Sequence, residues 1–184
     1  MQTPFDFQAL RLQNRQRRRA LSKDVVRKVS HAVCEQLVKL PAFVQAKTVA
    51  IYYPIQGEIS PLSLVAAFSD KQFALPVTPQ VPAPLTFYRY VAGDDLVSGC
   101  FGIPEPQTVE VNKVALEQID LMLVPMVAFD SSGNRMGQGA GYYDRTLADT
   151  QNRPTLIGLA YEWQRVSELP VRPWDVPMDG AIVG

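Results

Sequence analysis

The residues best suited to chemistry lie in one run, Arg135 to Arg145, reading R-M-G-Q-G-A-G-Y-Y-D-R. Gly137, Gly139 and Gly141 alternate, and Tyr142, Tyr143 and Asp144 follow without a gap. Glycine tolerates positive φ and lets backbone approach a ligand closely. Successive N–H groups in such a loop can cradle phosphate oxygens, aided by the positive end of a following helix. Arg135 and Arg145 bracket the loop, and the planar guanidinium fork suits phosphate oxygens. Asp144 is a candidate for Mg2+, which takes one or two carboxylates together with water and phosphate oxygens. Asp175 and Asp179 are candidates for the second carboxylate. Such a set fits phosphoryl transfer, where positioning and electrostatics do most of the catalysis. The loop is neither a G-x-G-x-x-G fingerprint, which also needs a strand directly ahead of it, nor a P-loop, which needs Gly-Lys-Ser/Thr. A tight structural turn would use the same glycines, and the glycines alone do not separate the two readings.

A further carboxylate, Glu58, follows the apolar run Thr48 to Tyr53 (TVAIYY), which suits a buried parallel strand. Ligands of open α/β sheets bind beyond the carboxyl ends of strands. Glu58 therefore stands where a functional carboxylate belongs, although a capping or exposed loop acid would stand there too. Further buried strands are expected at Phe73 to Val77, Ile119 to Val124, Leu156 to Ala160 and Ala181 to Val183, with a wetter one at Leu85 to Val91. Helices are expected at residues 5 to 21, from Ser22 to about Leu40 with Pro41 at its exit, at Leu62 to Phe68 and at Tyr142 to Asp149. Phe101 to Pro106 holds two prolines and is expected to be an irregular loop. Strands alternating with helices predict one α/β domain over residues 1–184, a three-layer α/β/α arrangement with a mainly parallel sheet.

Composition narrows the class. The chain has 184 residues, 47% hydrophobic and 20% charged, which is ordinary for a globular domain. No apolar run approaches the ~20 residues of a membrane helix, and no apolar signal core opens the chain. Cys34 and Cys100 form no C-x-x-C, and His31 is the only histidine. That set argues against a disulfide framework, a zinc site and Ser/His/Asp or Cys/His catalysis, and it fits the cytoplasm. His31 and Cys34 read as packing or surface residues of the second helix. Net charge is zero, yet residues 1–30 carry eight basic side chains against two acidic ones. Arg11, Arg15 and Arg18 or Arg19 recur at three- and four-residue spacing and share a helix face. That face is solvated, contacts a phosphate, or, as a weaker alternative, binds nucleic acid with a steep salt dependence. No nucleic-acid module signature is present, and no membrane or nucleic-acid partner is expected; a monomer is.

Several separated segments resemble the 5-formyltetrahydrofolate cyclo-ligase family, also called methenyltetrahydrofolate synthetase. They are Arg17 to Ser22 (RRRALS), Gly57 to Ser60 (GEIS), Gly102 to Pro106 (GIPEP), Val124 to Arg145 and Leu169 to Asp179 (LPV, then WDVPMD). The long segment ending in G-Y-Y-D is the specific one. The resemblance implies ATP- and Mg2+-dependent conversion of 5-formyltetrahydrofolate to 5,10-methenyltetrahydrofolate, ADP and phosphate. In the family's mechanism the formyl oxygen attacks the γ-phosphate, N10 attacks the resulting imidate phosphate, and phosphate leaves. It further implies that Arg135, Met136, Gly137, Gln138, Gly139, Ala140, Gly141, Tyr142 and Tyr143 form the ATP loop, joined by Arg11. Asp144 and Asp175 would face Mg2+. Tyr53, Glu58, Phe101 and Tyr142 would contact the folate, and Glu58, Arg135 and Arg145 form the expected catalytic set. Phe7 stands where many members carry lysine, Ala140 stands where some do, and the chain ends at Gly184 where members often continue. Another ATP-dependent kinase or ligase on the same scaffold would keep the loop and both aspartates but leave Glu58 and GIPEP incidental.

Overall fold

The computed structural model describes residues 5–148, 150 and 152–184. The N-terminal helix α1 (Phe7–Arg19) starts at Asp6, whose carboxylate accepts the N–H groups of Gln8 and Ala9 at 3.0 and 2.9 Å. This satisfies two of the donors that every helix start leaves open. Ser22 caps α2 (Lys23–Leu37) by accepting the Val25 N–H, and Asp24 lies in the first turn where the helix dipole favours an acid. Pro41 does not merely end α2; it opens a short α3 (Pro41–Gln45). Its ring is pre-set for a first helical turn, where the missing N–H has no cost.

Strands β1 (Thr48–Ala50) and β2 (Gln72–Val77) flank α4 (Ser63–Ala67), and β3 (Thr86–Tyr90) follows. A hairpin of β4 (Leu96–Ser98) and β5 (Pro104–Pro106) leads to the short β6 (Lys113–Val114) and then to β7 (Leu121–Pro125). A second hairpin, β8 (Ala128–Phe129) with β9 (Arg135–Met136), precedes α5 (Tyr142–Leu147), β10 (Thr155–Ala160) and β11 (Gly180–Val183). The main sheet has seven strands in the order β11-β10-β7-β1-β2-β3-β6. The five from β11 to β2 are parallel, and β3 and β6 are antiparallel additions at one edge.

Alternation along the strands divides the core into two. Val49, Leu121, Leu123, Ile157 and Leu159 face the side covered by α2 to α4. Ala50, Met122, Val124, Leu156 and Ala160 face the side holding Leu147 of α5 and Met178. Both faces of a parallel sheet are thereby buried, as its crossover helices require. This is the expected α/β class with three layers. Each fully buried leucine or valine here contributes roughly 1.5–3 kcal/mol.

Several local expectations are corrected. Pro104–Pro106 is a strand after all, with Glu105 opposite Val97. Proline is tolerated in a two-stranded edge hairpin because its missing N–H can face outward. The glycine loop does follow a strand directly, β9, but this belongs to a hairpin and not to the main sheet. The helix expected over Tyr142 to Asp149 is α5, which ends at Leu147; Asp149 lies outside the described residues.

Candidate active site

From β1 the chain moves one way across the sheet to β2, and from β7 the other way to β10 and β11. The order reverses between β1 and β7, and such a switch point opens a crevice beyond the strands' carboxyl ends. The segment after β1 brings Glu58 to this crevice, and the segment after β7 brings the glycine loop.

Glu58 is 6% exposed. Its Oε1 accepts Arg18 Nη1 at 2.9 Å and Gln138 Nε2 at 3.2 Å, and its Oε2 accepts the Ile55 N–H at 3.1 Å. Burial pushes its carboxyl above the ordinary range, against the opposing pull of Arg18, the Ile55 N–H and Gln138. Burial also raises the neighbouring tyrosines. Tyr52, which donates to the Ile59 carbonyl at 2.6 Å, and Tyr143 both lie well above the usual phenol value, and Tyr161 is pushed up to about 12. The turn before Glu58 holds two residues at positive φ, Gln56 at 49° and Gly57 at 75°. A Cβ on Gly57 would lie 2.5 Å from the Arg18 carbonyl oxygen, so α1 can approach this turn only because residue 57 is glycine.

The glycine loop borders a cleft of about 390 Å³. Gly137, Gly139, Ala140 and Gly141 line one wall, and Phe7 and Arg11 of α1 meet them. Arg11 Nε donates to the Gly137 carbonyl at 3.0 Å, and burial, then Arg15 and Arg172, lowers its pKa. Gly139 and Gly141 hold φ of 108° and 68°, where a side chain would be strained. The opposite wall is the segment after Leu169, including Trp174 and Asp175. Arg172 stacks over both Phe7 and Trp174, at 5.5 and 5.8 Å, and so binds that wall to α1. Helix α5 has only six residues, so its dipole adds little and the loop's own amides are the principal donors.

The two bracketing arginines differ. Arg135 is largely buried and directs Nη1 and Nη2 to Asp144 Oδ1, at 2.9 and 2.8 Å. Arg145 is exposed, donates to the Ala140 carbonyl and lies 5.6 Å from the Tyr142 ring centre. Asp144 Oδ1 also accepts the Val176 N–H at 3.3 Å, which places Asp144 beside Asp175. Asp175 uses Oδ2 to accept the Arg172 N–H at 2.9 Å. One oxygen of each carboxylate is thus left for a cation at the cleft, a donor set that fits Mg2+ completed by water and phosphate. Asp179 is differently employed. It forms a two-pronged pair with Arg153 and accepts the Leu156 N–H, and Arg153 holds its carboxyl below the ordinary range. Of the two candidates for a second metal carboxylate, Asp175 is the one at the cleft.

Met136 is 4% exposed and packs with Val127, Ala128 and Leu169, so its side chain is core under the loop. Tyr142 donates to the Pro79 carbonyl at 3.3 Å, and Phe101, 73% exposed with φ of 61°, stands 6.5 Å from it. Non-glycine residues held at positive φ gather at functional sites. Glu105 explains much of the GIPEP motif: it is 4% exposed, accepts the Thr78 N–H at 3.0 Å, and ties the Phe101 hairpin to the end of β2. Tyr53 is half-buried and leans on the α2-side core. Glu58, Gln138, Arg11 and the glycines therefore converge, and Phe101 pairs with Tyr142, which directly follows the loop. The sequence places Arg18 or Arg19 on a basic face but does not disclose that Arg18 is buried against Glu58, and it does not single out Trp174 or Arg172. For Arg18 a signal existed: it lies one two-turn repeat beyond Arg11, on the inward face.

Residues 6–184 match the 5-formyltetrahydrofolate cyclo-ligase family. A 5-formyltetrahydrofolate cyclo-ligase of Haemophilus influenzae is 41% identical over 144 residues, 76% of this chain and 77% of that protein. One of Escherichia coli K12 is 34% identical over 172 residues, 91% of this chain and 94% of that protein. The solved structure of an Aquifex aeolicus 5,10-methenyltetrahydrofolate synthetase superposes with a TM-score of 0.82 at 35% identity, covering 96% of this chain and 89% of that one. A Mycoplasma pneumoniae 5,10-methenyltetrahydrofolate synthetase gives 0.77 at 28% identity, covering 97% and 98%.

Proposed function

The chain belongs to the 5-formyltetrahydrofolate cyclo-ligase family, and from that membership we propose that it closes 5-formyltetrahydrofolate to 5,10-methenyltetrahydrofolate with conversion of ATP to ADP and phosphate. The observation that carries this reading is the 3.2 Å contact between Gln138 of the glycine loop and Glu58, which joins a phosphate-type cleft to a buried carboxylate at the switch point.

In this reading the amides of Gly137 to Gly141 hold the ATP phosphates, and Arg11, at the cleft wall, fixes the loop through the Gly137 carbonyl and supplies positive charge. Arg145 lies at the cleft mouth and can swing from Ala140 to a phosphate oxygen. Arg135 acts chiefly by fixing Asp144. Asp144 and Asp175 would hold Mg2+, which would supply charge neutralisation for the phosphate oxygens. Glu58 takes an N–H of the pterin, and Phe101, Tyr142 and Tyr53 form its apolar surround. The γ-phosphoryl group passes to the formyl oxygen, N10 closes on the activated carbon, and phosphate carries that oxygen away. No covalent enzyme intermediate is required, in keeping with a crevice built from amides, arginines and carboxylates. Positioning and electrostatic stabilisation share the acceleration, and two substrates held in near-attack geometry gain up to ~7–11 kcal/mol from positioning. Incubation of purified protein with Mg-ATP and 5-formyltetrahydrofolate should develop the absorbance of the methenyl product. No chromophore under any metal or nucleotide condition would sink the reading.

A further inference from the structure

We propose that Gln138 is a positioning residue that couples the nucleotide loop to Glu58, with Arg18 as the fixed anchor of that carboxylate; the proposal rests on the folate-holding role given to Glu58 above. Gln138 differs from its neighbours in the loop. Gly137, Gly139, Ala140 and Gly141 line the nucleotide cleft, whereas the Gln138 side chain leaves the loop on the other side to reach Glu58 Oε1. One residue therefore stands between the backbone suited to phosphates and the carboxylate suited to the pterin.

The far side of Glu58 is rigid. Arg18 is 1% exposed, and Glu58 is its sole side-chain acceptor among the described residues, since Arg18 Nε and Nη2 have no hydrogen-bond partner there. Moving Glu58 away would strand a buried guanidinium, which costs several kcal/mol. Helix α1 is itself pinned by Asn14, whose Nδ2 donates to the Val127 carbonyl at 2.9 Å. The near side is adjustable, because Gln138 is exposed. A carboxylate offers about four acceptor positions. Arg18 and Gln138 occupy both on Oε1, and Ile55 occupies one on Oε2, so a single position on Oε2 faces an incoming donor. A nucleotide that orders the loop backbone also orders Gln138, and Gln138 then holds Glu58 with that free position presented. Linkage makes the effect reciprocal: bound folate tightens nucleotide binding by the same factor.

The test measures the affinity for 5-formyltetrahydrofolate with and without a saturating non-hydrolysable ATP analogue and Mg2+. Wild-type protein should bind the folate on the order of fivefold or more tightly with the analogue present, at the low end of common coupling factors. Gln138→Leu should bring that ratio close to one. Gln138→Lys, which keeps a donor at the same reach, should preserve it. A merely structural role would lower both affinities together and leave the ratio intact. A wild-type ratio of one, or a Gln138→Leu ratio equal to wild type, overturns the coupling while leaving the enzymatic reading standing if the methenyl product still forms. Wild-type protein that binds no folate in either state removes the enzymatic reading and the coupling with it.

Discussion

Asp144 answers to two kinds of partner. Its Oδ1 is committed to Arg135 and to the Val176 N–H, so Arg135 sets the direction in which the other oxygen points. Asp144→Asn keeps an oxygen for one of those donors but loses the charge a divalent cation needs. The Mg2+ titration of activity should move to roughly tenfold higher concentration or more, in line with a charge-assisted contact of ~1.5–3 kcal/mol. An unmoved titration would remove Asp144 from the metal. Glu58→Gln should weaken folate binding by roughly ten- to a hundredfold and nucleotide binding much less. Isothermal titration with each ligand separates the two, and equal losses would contradict the assignment. Both residues are short-range acceptors whose value lies in how few lone pairs the protein leaves free.

At the scale of elements, α1 has an unusual inner face. Asn14 and Arg18 are buried and Arg11 is half-buried, each tied to a segment more than 30 positions away. Removing the cation from such a buried pair leaves an ionised carboxylate without compensation. Arg18→Met should therefore cost about 3–5 kcal/mol in urea unfolding at neutral pH. Burial already raises Glu58, and without Arg18 it rises further. A raised folded-state value begins to penalise the folded state above the unfolded value of about 4.3 and does so fully above the folded one, so the deficit should shrink as pH falls from the folded value towards the unfolded one. A deficit that does not vary with pH would place the loss in packing. Gly57→Ala should also destabilise, because the new Cβ would meet the α1 backbone and the residue would remain at positive φ. These elements also show what a sequence can disclose. Runs such as TVAIYY and DLMLV reveal buried strands because apolar composition is local. Ser22 is legible as the start of α2 for the same reason. The burial of Arg18 is not, since its warrant is a carboxylate 40 positions away. Nor is β5 legible, because Pro-Glu-Pro denies the local rule and is permitted only by the edge hairpin formed around Glu105. Glu58 and the glycine loop are each readable as candidates, and the family resemblance joins them, but their contact through Gln138 is not readable, since it depends on strand order.

For the whole molecule, the parallel arrangement gathers every ligand-facing segment at one edge of the sheet, and two buried or bridged acids brace that edge and the opposite one. Burial opposes ionisation of Asp130, but donors from Asn134, Leu169 and Ser132 outweigh it and hold its carboxyl below the ordinary range. Asp179, bridged to Arg153, lies low as well. Depressed acids stabilise fully above the unfolded value of about 3.9, and that stabilisation is lost as pH falls through the lower folded values. Denaturant midpoints should hold from pH 7 to about 5 and fall below about 4, and Asp130→Asn should flatten the acid limb while lowering the plateau. An identical acid limb in that variant would clear Asp130 of the effect. One feature of the cleft reaches into how the protein is made. Phe7 and Arg11 on one side and Trp174 and Asp175 on the other face the same space, clasped by Arg172. During synthesis Phe7 and Arg11 leave the ribosome long before Trp174 and Asp175, so the basic helix waits for the partner that closes it. A chain that stops short of Trp174 would hold most of the sheet and yet only one wall of this cleft, so binding competence arrives only once that segment has been made.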